Sequence, residues 1–307
     1  MKIITLTVNP AVDKSAQIDQ LVPEQKLNCK AIQYQAGGGG VNISRVLHTL
    51  KVNNKCLFTS GGDTGLFLKR LLKEEQLDIS PIPVESWTRE NLSVVDNKTE
   101  HQYRFGMPGG TISAEEIVLI KKIVHREVTE DAMFIISGSI AEHMPQDLYV
   151  QLIQLLQNKN VKVVVDTSGK ALELTLKEPV FLIKPNQKEL AQLAGKLFMS
   201  KHEQEAFALE LVKKGKATYV VVSMGARGAF IASADGISYC NTPSVKVKST
   251  IGAGDSMVAG MVYAIQNGLS AADILKWGVV CGVATTMTDG TNLASKENIK
   301  IVSGLMV

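Results

Sequence analysis

Residues 161–190 read VKVVVDTSGKALELTLKEPVFLIKPNQKEL. Two short runs in this stretch, Val161–Val165 and Val180–Ile183, are almost wholly apolar. Such runs are expected of parallel strands covered by helices on both faces. Each gives way at once to polar residues: Asp166 after the first, and Lys184, Asn186 and Glu189 after the second, where Pro185 breaks the strand. The same rhythm recurs at Ile3–Val8, Cys56–Thr59, Ala132–Ile136 and Tyr219–Val222.

Helix signals lie between the strands. Ile43, Val46, Leu47 and Leu50 form one stripe, and Ser113 with Glu116 makes a capping box. Pro145 is expected at the first helical position ahead of Leu148, Leu152, Leu155 and Leu156, and Gly215 ends a helix over 203–214. This alternation predicts an α/β fold with a doubly wound, mostly parallel sheet.

Residues 14–35 and 82–106 interrupt the pattern, and NLSVVDNKTEHQYRF (91–105) reads as a hairpin turning at Asn97-Lys98. Together they predict a small antiparallel β lid. The organisation expected is a single α/β domain over 1–307, with the lid inserted at about 14–35 and 82–106.

Composition narrows the function classes. A net charge of +3 over 307 residues, with no basic block, gives no argument for a nucleic-acid partner. No apolar run approaches the roughly 20 residues of a membrane helix, and the N-terminus meets Asn9-Pro10 and Asp13 too early for a signal peptide. Cys29, Cys56, Cys240 and Cys281 are scattered, which suggests neither a zinc site nor a disulfide framework. A cytoplasmic protein is expected.

The chemistry-bearing stretches follow predicted strands. KSTIGAGDSMVAGMV (248–262) places Gly252-Ala253-Gly254 ahead of a helix whose stripe is Met257, Val258, Met261, Val262 and Ile265. Small residues there expose first-turn N–H groups as an anion site. Asp255 is badly placed as a phosphate ligand but well placed to accept a hydroxyl proton beside one; a plain helix cap is the competing reading. AGGGGVNISRVL (36–47) implies close backbone approach to a ligand or a tight turn, with Asn42 facing a polyol in the first case. Asp166, Asn186 and Glu189, at adjacent strand ends, suit water-mediated Mg²⁺. VVVSMGARG (220–228) either cradles nucleotide phosphates or turns the chain. Arg89 and Arg104 lie on the lid, where two guanidinium groups suit a phosphate. A dinucleotide fingerprint is excluded because neither glycine cluster completes GxGxxG, and there is no GxxxxGK[ST].

AGGGGVN and GAGDSMVAG in one chain resemble the two signatures of the PfkB family of ribokinase-like carbohydrate kinases, with WTREN, YRFGMPG and KPNQKEL adding to the likeness. The resemblance implies ATP- and Mg²⁺-dependent phosphoryl transfer to a ketohexose phosphate. Fructose 6-phosphate is the first choice, with tagatose 6-phosphate and fructose 1-phosphate as alternatives. A non-catalytic sugar-phosphate or nucleotide sensor would not need Asp255. By residue, the resemblance implies Asp255 as base and Gly252, Ala253 and Gly254 as anion hole. Asp13, Gly38, Gly39, Asn42 and Ser139 would hold the sugar, with Arg89, Arg104 and Lys26 at its phosphate or in a partner's site. Lys184, Asn186, Ser223, Gly225 and Gly228 would meet ATP, and Glu189, with Asn186 and Asp166, the metal's water shell. A homodimer through the lid is implied. Asn292 in TDGTNL (288–293), where arginine is expected, counts against a monovalent-cation site.

Overall fold

The computed structural model describes residues 1–141 and 143–306. The strands are β1 (Ile3–Thr7), β2 (Ala11–Ile18), β3 (Lys30–Gly37), β4 (Lys55–Ser60), β5 (Asp78–Pro83), β6 (Arg89–Asp96) and β7 (Gln102–Phe105). They continue as β8 (Met133–Ser137), β9 (Lys162–Asp166), β10 (Val180–Ile183), β11 (Ala217–Ser223), β12 (Ala229–Ser233) and β13 (Gly236–Cys240). The helices are α1 (Gly39–Thr49), α2 (Gly62–Glu74), α3 (Ala114–Glu127), α4 (Leu148–Leu155) and α5 (Gly169–Thr175). After them come α6 (Gln187–Leu193), α7 (Lys201–Lys213), α8 (Ala253–Gln266), α9 (Ala271–Thr286) and α10 (Lys296–Leu305).

Nine strands form one sheet in the order β13-β12-β11-β10-β9-β8-β1-β4-β5. From β11 to β5 all neighbours are parallel, and β12 and β13 close one edge as an antiparallel hairpin. This is the expected α/β architecture with a doubly wound, mostly parallel sheet. The apolar strands have the expected cause. Ile4, Phe134, Ile136 and Val165 pack on one face with Ile120, Leu148 and Leu152. Their neighbours Ile3, Met133, Ile135 and Val164 pack on the other with Ile43, Leu47, Met261 and Val280.

The chain runs outward from β1 in both directions, so the strand order reverses between β1 and β8. At such a switch point, crossovers leave on opposite faces and open a crevice at the carboxyl ends of the strands. The glycine run fills it. A Cβ on Gly40 would lie 2.7 Å from the Leu6 carbonyl oxygen, and one on Gly39 would lie 2.2 Å from Ser137 Oγ.

The small sheet has the order β3-β2-β6-β7, and its central pair β2–β6 is parallel, from Ala11 opposite Arg89 to Ile18 opposite Asp96. It is therefore mixed, not purely antiparallel: β2 and β6 lie far apart in sequence, and the crossover between them returns β6 in the same direction. The 91–105 hairpin forms as β6 and β7. Ile82 and Pro83, assigned to the lid from sequence, belong to edge strand β5 of the main sheet. Val12 and Ala36 of the lid pack with Phe58, Leu68 and Leu72, joining it to β4 and α2.

Ser113 forms both bonds of its capping box, and Gly215 follows α7 with φ 67°. Pro145 is not at the start of α4. It sits one turn earlier, where its carbonyl accepts from the Leu148 N–H at 3.0 Å.

Helices α8 and α9 meet at Gly260, where a Cβ would meet the Trp277 carbonyl oxygen at 2.2 Å and Cys281 Sγ at 2.9 Å. Gly260→Ala is expected to destabilise the fold by about 1–3 kcal/mol, the usual range for overpacking. A lowered urea midpoint with unchanged slope would show this; an unchanged midpoint would contradict it.

Candidate active site

The two glycine-led helices bring their first turns together at the carboxyl edge of the sheet. Helix α8 opens on Gly252, whose φ of 73° favours glycine, and no side chain caps it. Its first ladder bond runs from Ser256 N to the Gly252 carbonyl. The N–H groups of Gly254 and Asp255 lie ahead of that bond, free to face an anion.

Asp255 does not cap α8. It is partly buried and accepts a hydrogen bond from Asn42 Nδ2 at 2.8 Å. Asn42 stands in the first turn of α1, just after the glycines that let that helix approach β1 and β8. Leu293 closes the other side, within 2.5 Å of where a Gly252 Cβ would stand.

A second charged pair lies beneath. Lys184, buried at the end of β10, places Nζ 3.1 Å from Asp166 Oδ1 at the end of β9. Its ammonium also faces α8, 3.4 Å from the position of a Gly254 Cβ. Burial alone would lower the Lys184 pKa, but the Asp166 carboxylate, helped by Asp255 and Glu189, holds it above that of an ordinary lysine. Asp255 is pushed up to about 7, chiefly by burial and then by the negative charge of Asp166. Its Asn42 bond and Lys184 oppose the rise, while Asp13 adds to it.

Asp13 lies across the crevice on β2. The parallel register sets it opposite Asn91, which donates to Asp13 Oδ1 at 2.8 Å. Gly37 makes room for this carboxylate, since a Cβ there would lie 2.1 Å from Asp13 Oδ2. Burial raises the Asp13 pKa against the lowering effects of Asn91 and Arg89.

Arg89 is fixed by bonds to the Met107 carbonyl at 3.0 Å and the Asn9 carbonyl at 3.3 Å, and its buried Nε has no partner. Arg104 is exposed and reaches Thr250 Oγ1 at 3.2 Å, next to the start of α8. The two arginines share no hydrogen-bond partner in this arrangement. Ser139 follows β8 and meets Asn9 Nδ2 at 3.5 Å. Lys26 lies exposed in the connection between β2 and β3, apart from these groups.

On the far side of α8, Ser223, Gly225, Gly228, Ala253 and Gly254 line a cavity of about 710 Å³. Its walls include Val245, Val247, Val279, Val283 and Thr286. These residues are invisible as site residues in the sequence because they read as ordinary core. The sequence did not mark Gly37 or Asn91 as neighbours of Asp13; the β2–β3 pairing brings the first there and the β2–β6 register the second.

Asn186 and Glu189 form a reciprocal capping box on α6: Asn186 N donates to Glu189 Oε2 at 2.8 Å, and Glu189 N donates to Asn186 Oδ1 at 2.9 Å. Glu189 keeps its second oxygen for other use. Among the described residues no cluster of three or more His, Cys, Asp or Glu is arranged to cage a metal directly. The oxygens of Asp166 and Glu189 suit a cation that keeps its waters.

The family model for pfkB family carbohydrate kinases matches residues 3–298. ATP-dependent 6-phosphofructokinase isozyme 2 of Escherichia coli (strain K12) is 36% identical over 299 residues, covering 97% of this chain and 96% of its own. The 1-phosphofructokinase of Bacillus subtilis (strain 168) is 31% identical over 287 residues, covering 94% and 93%. The crystal structure of Escherichia coli phosphofructokinase-2 in complex with substrates and products superimposes with a TM-score of 0.95 at 34% identity, covering 100% of this chain and 99% of the other.

The buried carboxylate can be checked without any assay of turnover. Followed by ¹³C NMR, Asp255 is expected to titrate near 7, against about 3.9 for an exposed aspartate. Asn42→Ala removes a donor that favours the ionised form and should move the midpoint higher. An ordinary carboxylate midpoint, or a downward move in the variant, would contradict these electrostatics.

Proposed function

This chain belongs to the pfkB family of carbohydrate kinases, and from that premise we propose that it transfers the terminal phosphoryl group of ATP to the 1-hydroxyl of fructose 6-phosphate. The observation that carries the reading is the ionisable Asp255, seated between the polyol-facing glycine run and a cavity sized for a nucleotide. The intact base argues against a sensor without catalysis. The 36% relative is a 6-phosphofructokinase and the 31% relative a 1-phosphofructokinase, an order that favours fructose 6-phosphate.

In this reading the purine enters between Val245, Val247, Val279 and Val283, and Ser223, Gly225 and Gly228 border its polar parts. Lys184 and the free N–H groups of Gly254 and Asp255 meet the transferred phosphoryl group, with Gly252 and Ala253 leaving the approach open. The Ala253 N–H, expected in this anion hole, donates instead to the Thr250 carbonyl at 3.4 Å. Asp13, Asn91, Gly38, Gly39, Asn42 and Ser139 face the sugar, and Arg89 and Arg104 its existing phosphate. Asp255 takes the hydroxyl proton as the new O–P bond forms, and Asn42 holds its carboxylate in position. Positioning and charge neutralisation supply most of the rate in such transfers. Mg²⁺ bound with ATP neutralises phosphate charge, and Glu189, Asn186 and Asp166 would hold it through water. At Thr288–Leu293 the Asn292 side chain is engaged by Gln35 and the Asp289 carbonyl.

Because the base works ionised, kcat/KM should fall as pH drops through about 7, the Asp255 value. Asp255→Asn is expected to lower kcat by about 10²–10⁴, as loss of a general base does. Arg104→Ala is expected to raise KM for fructose 6-phosphate roughly ten- to a hundredfold and leave KM for ATP nearly unchanged. An ADP-release assay reads all three. Near-native turnover in the first variant, or equal weakening of both substrates in the second, would overturn the assignment.

We further propose a homodimer through the lid. Ile32 and Phe105 of the small sheet are exposed, and Tyr34, although its ring meets Phe67 of α2 edge-on, stays exposed as well. Sedimentation velocity should find a dimer at micromolar concentration and dissociation in Ile32→Asp/Phe105→Asp. A stable, active monomer of the parent chain would contradict this.

A further inference from the structure

The turn that borders the nucleotide cavity has another side. Gly225 and Ala226 line that cavity, whereas Met224 and Arg227 of the same turn line a second one of about 530 Å³. This second cavity lies outside the catalytic crevice, between α6, the start of α7 and the β12–β13 hairpin. Lys188, Lys201 and Arg227 line it, and among the described residues no carboxylate does. Glu205, beside it, is turned to the Tyr239 hydroxyl and to Lys201, 3.8 Å away.

The cationic side is built from within. Gln204, 5% exposed, donates to the Met199 carbonyl at 2.7 Å and accepts from Gln187 at 2.8 Å. Gln187 in turn accepts from Arg227 Nη2 at 2.6 Å. A pair of amides anchored at the buried Gln204 thus holds an exposed guanidinium at the cavity. Lys201 Nζ sits 4.5 Å from the Tyr239 ring centre. The rim carries Leu197 and Phe198, both exposed, the latter 79% so. A cavity of this size, with an aromatic wall and a few fixed cations, has the make-up of a small-molecule site.

We propose that this cavity binds a small organic anion with an aromatic or apolar body, its charge on Arg227, Lys188 and Lys201 and its body against Tyr239, Leu197 and Phe198. Binding there acts on the nucleotide through the shared Met224–Gly228 turn. The second statement rests on the nucleotide reading above; the first stands without it.

Phenyl phosphate is the probe, followed by saturation-transfer NMR on the full chain with fructose 6-phosphate present in excess. Benzoate replaces the phosphate by a carboxylate, inorganic phosphate lacks the ring, and benzyl alcohol lacks the charge. The expected result is binding of phenyl phosphate or benzoate at least about tenfold tighter than of the two partial probes. Arg227→Gln and Phe198→Ser should each weaken it, Arg227→Gln by roughly tenfold or more. Calorimetry should show ATP affinity changed when phenyl phosphate saturates the protein, and by linkage the reverse.

The site is overturned if neither ring-bearing anion binds at millimolar concentration or if the variants bind as the parent does. Self-association lost in Phe198→Ser without anion binding overturns it as well, because the rim is then a contact between copies. Binding without any change in ATP affinity overturns the regulatory half. None of these outcomes depends on turnover, so failure here is distinct from failure of the kinase reading.

Discussion

The hydrogen bond from Asn42 to Asp255 ties together parts of the chain 213 residues apart. It exists only because two helices start within reach of each other, and both starts are made of glycine. Any side chain at Gly39 or Gly40 would strike the ends of β8 or β1 and hold α1 away from the sheet. Asn42 would move with it. The switch point of the sheet, the glycine run and the ionisation of Asp255 are therefore one constraint seen at three scales.

The charges around that bond explain how a carboxylate survives there. Asp166 and Lys184 are both largely buried and pair at 3.1 Å. Removing one partner of a buried pair typically costs about 3–5 kcal/mol, although the pair itself adds little net stability. Its value here lies in placement, since it fixes an ammonium at the mouth of α8 next to Asp255. With its pKa pushed up to about 7, Asp255 has the basicity at which a base is most useful at neutral pH.

Much of this was legible in the sequence. Apolar strands with polar ends marked the parallel sheet, and Gly252–Asp255 marked a helix start with free N–H groups beside a carboxylate. What was illegible depended on partners distant in sequence. Nothing local in Ala11–Ile18 or Arg89–Asp96 says that these strands pair in parallel, so Asn91 went unnoticed beside Asp13. Strand β5 contains Pro81 and Pro83, which disguise it, and an edge strand tolerates them. The Asn186–Glu189 capping box was readable as N-x-x-E, but the polar company of the two residues drew attention to metal first. Among the described residues no helix is long and apolar enough to cross a membrane.

The central claim is that the crevice moves phosphate from ATP to a ketohexose phosphate. ³¹P NMR of the purified chain with ATP, Mg²⁺ and either fructose 6-phosphate, fructose 1-phosphate or tagatose 6-phosphate tests it most directly. The account predicts that the γ-phosphate signal decays as ADP and a second sugar phosphomonoester appear, fastest with fructose 6-phosphate. ATP that stays intact with all three sugars, or that yields only inorganic phosphate, would contradict it.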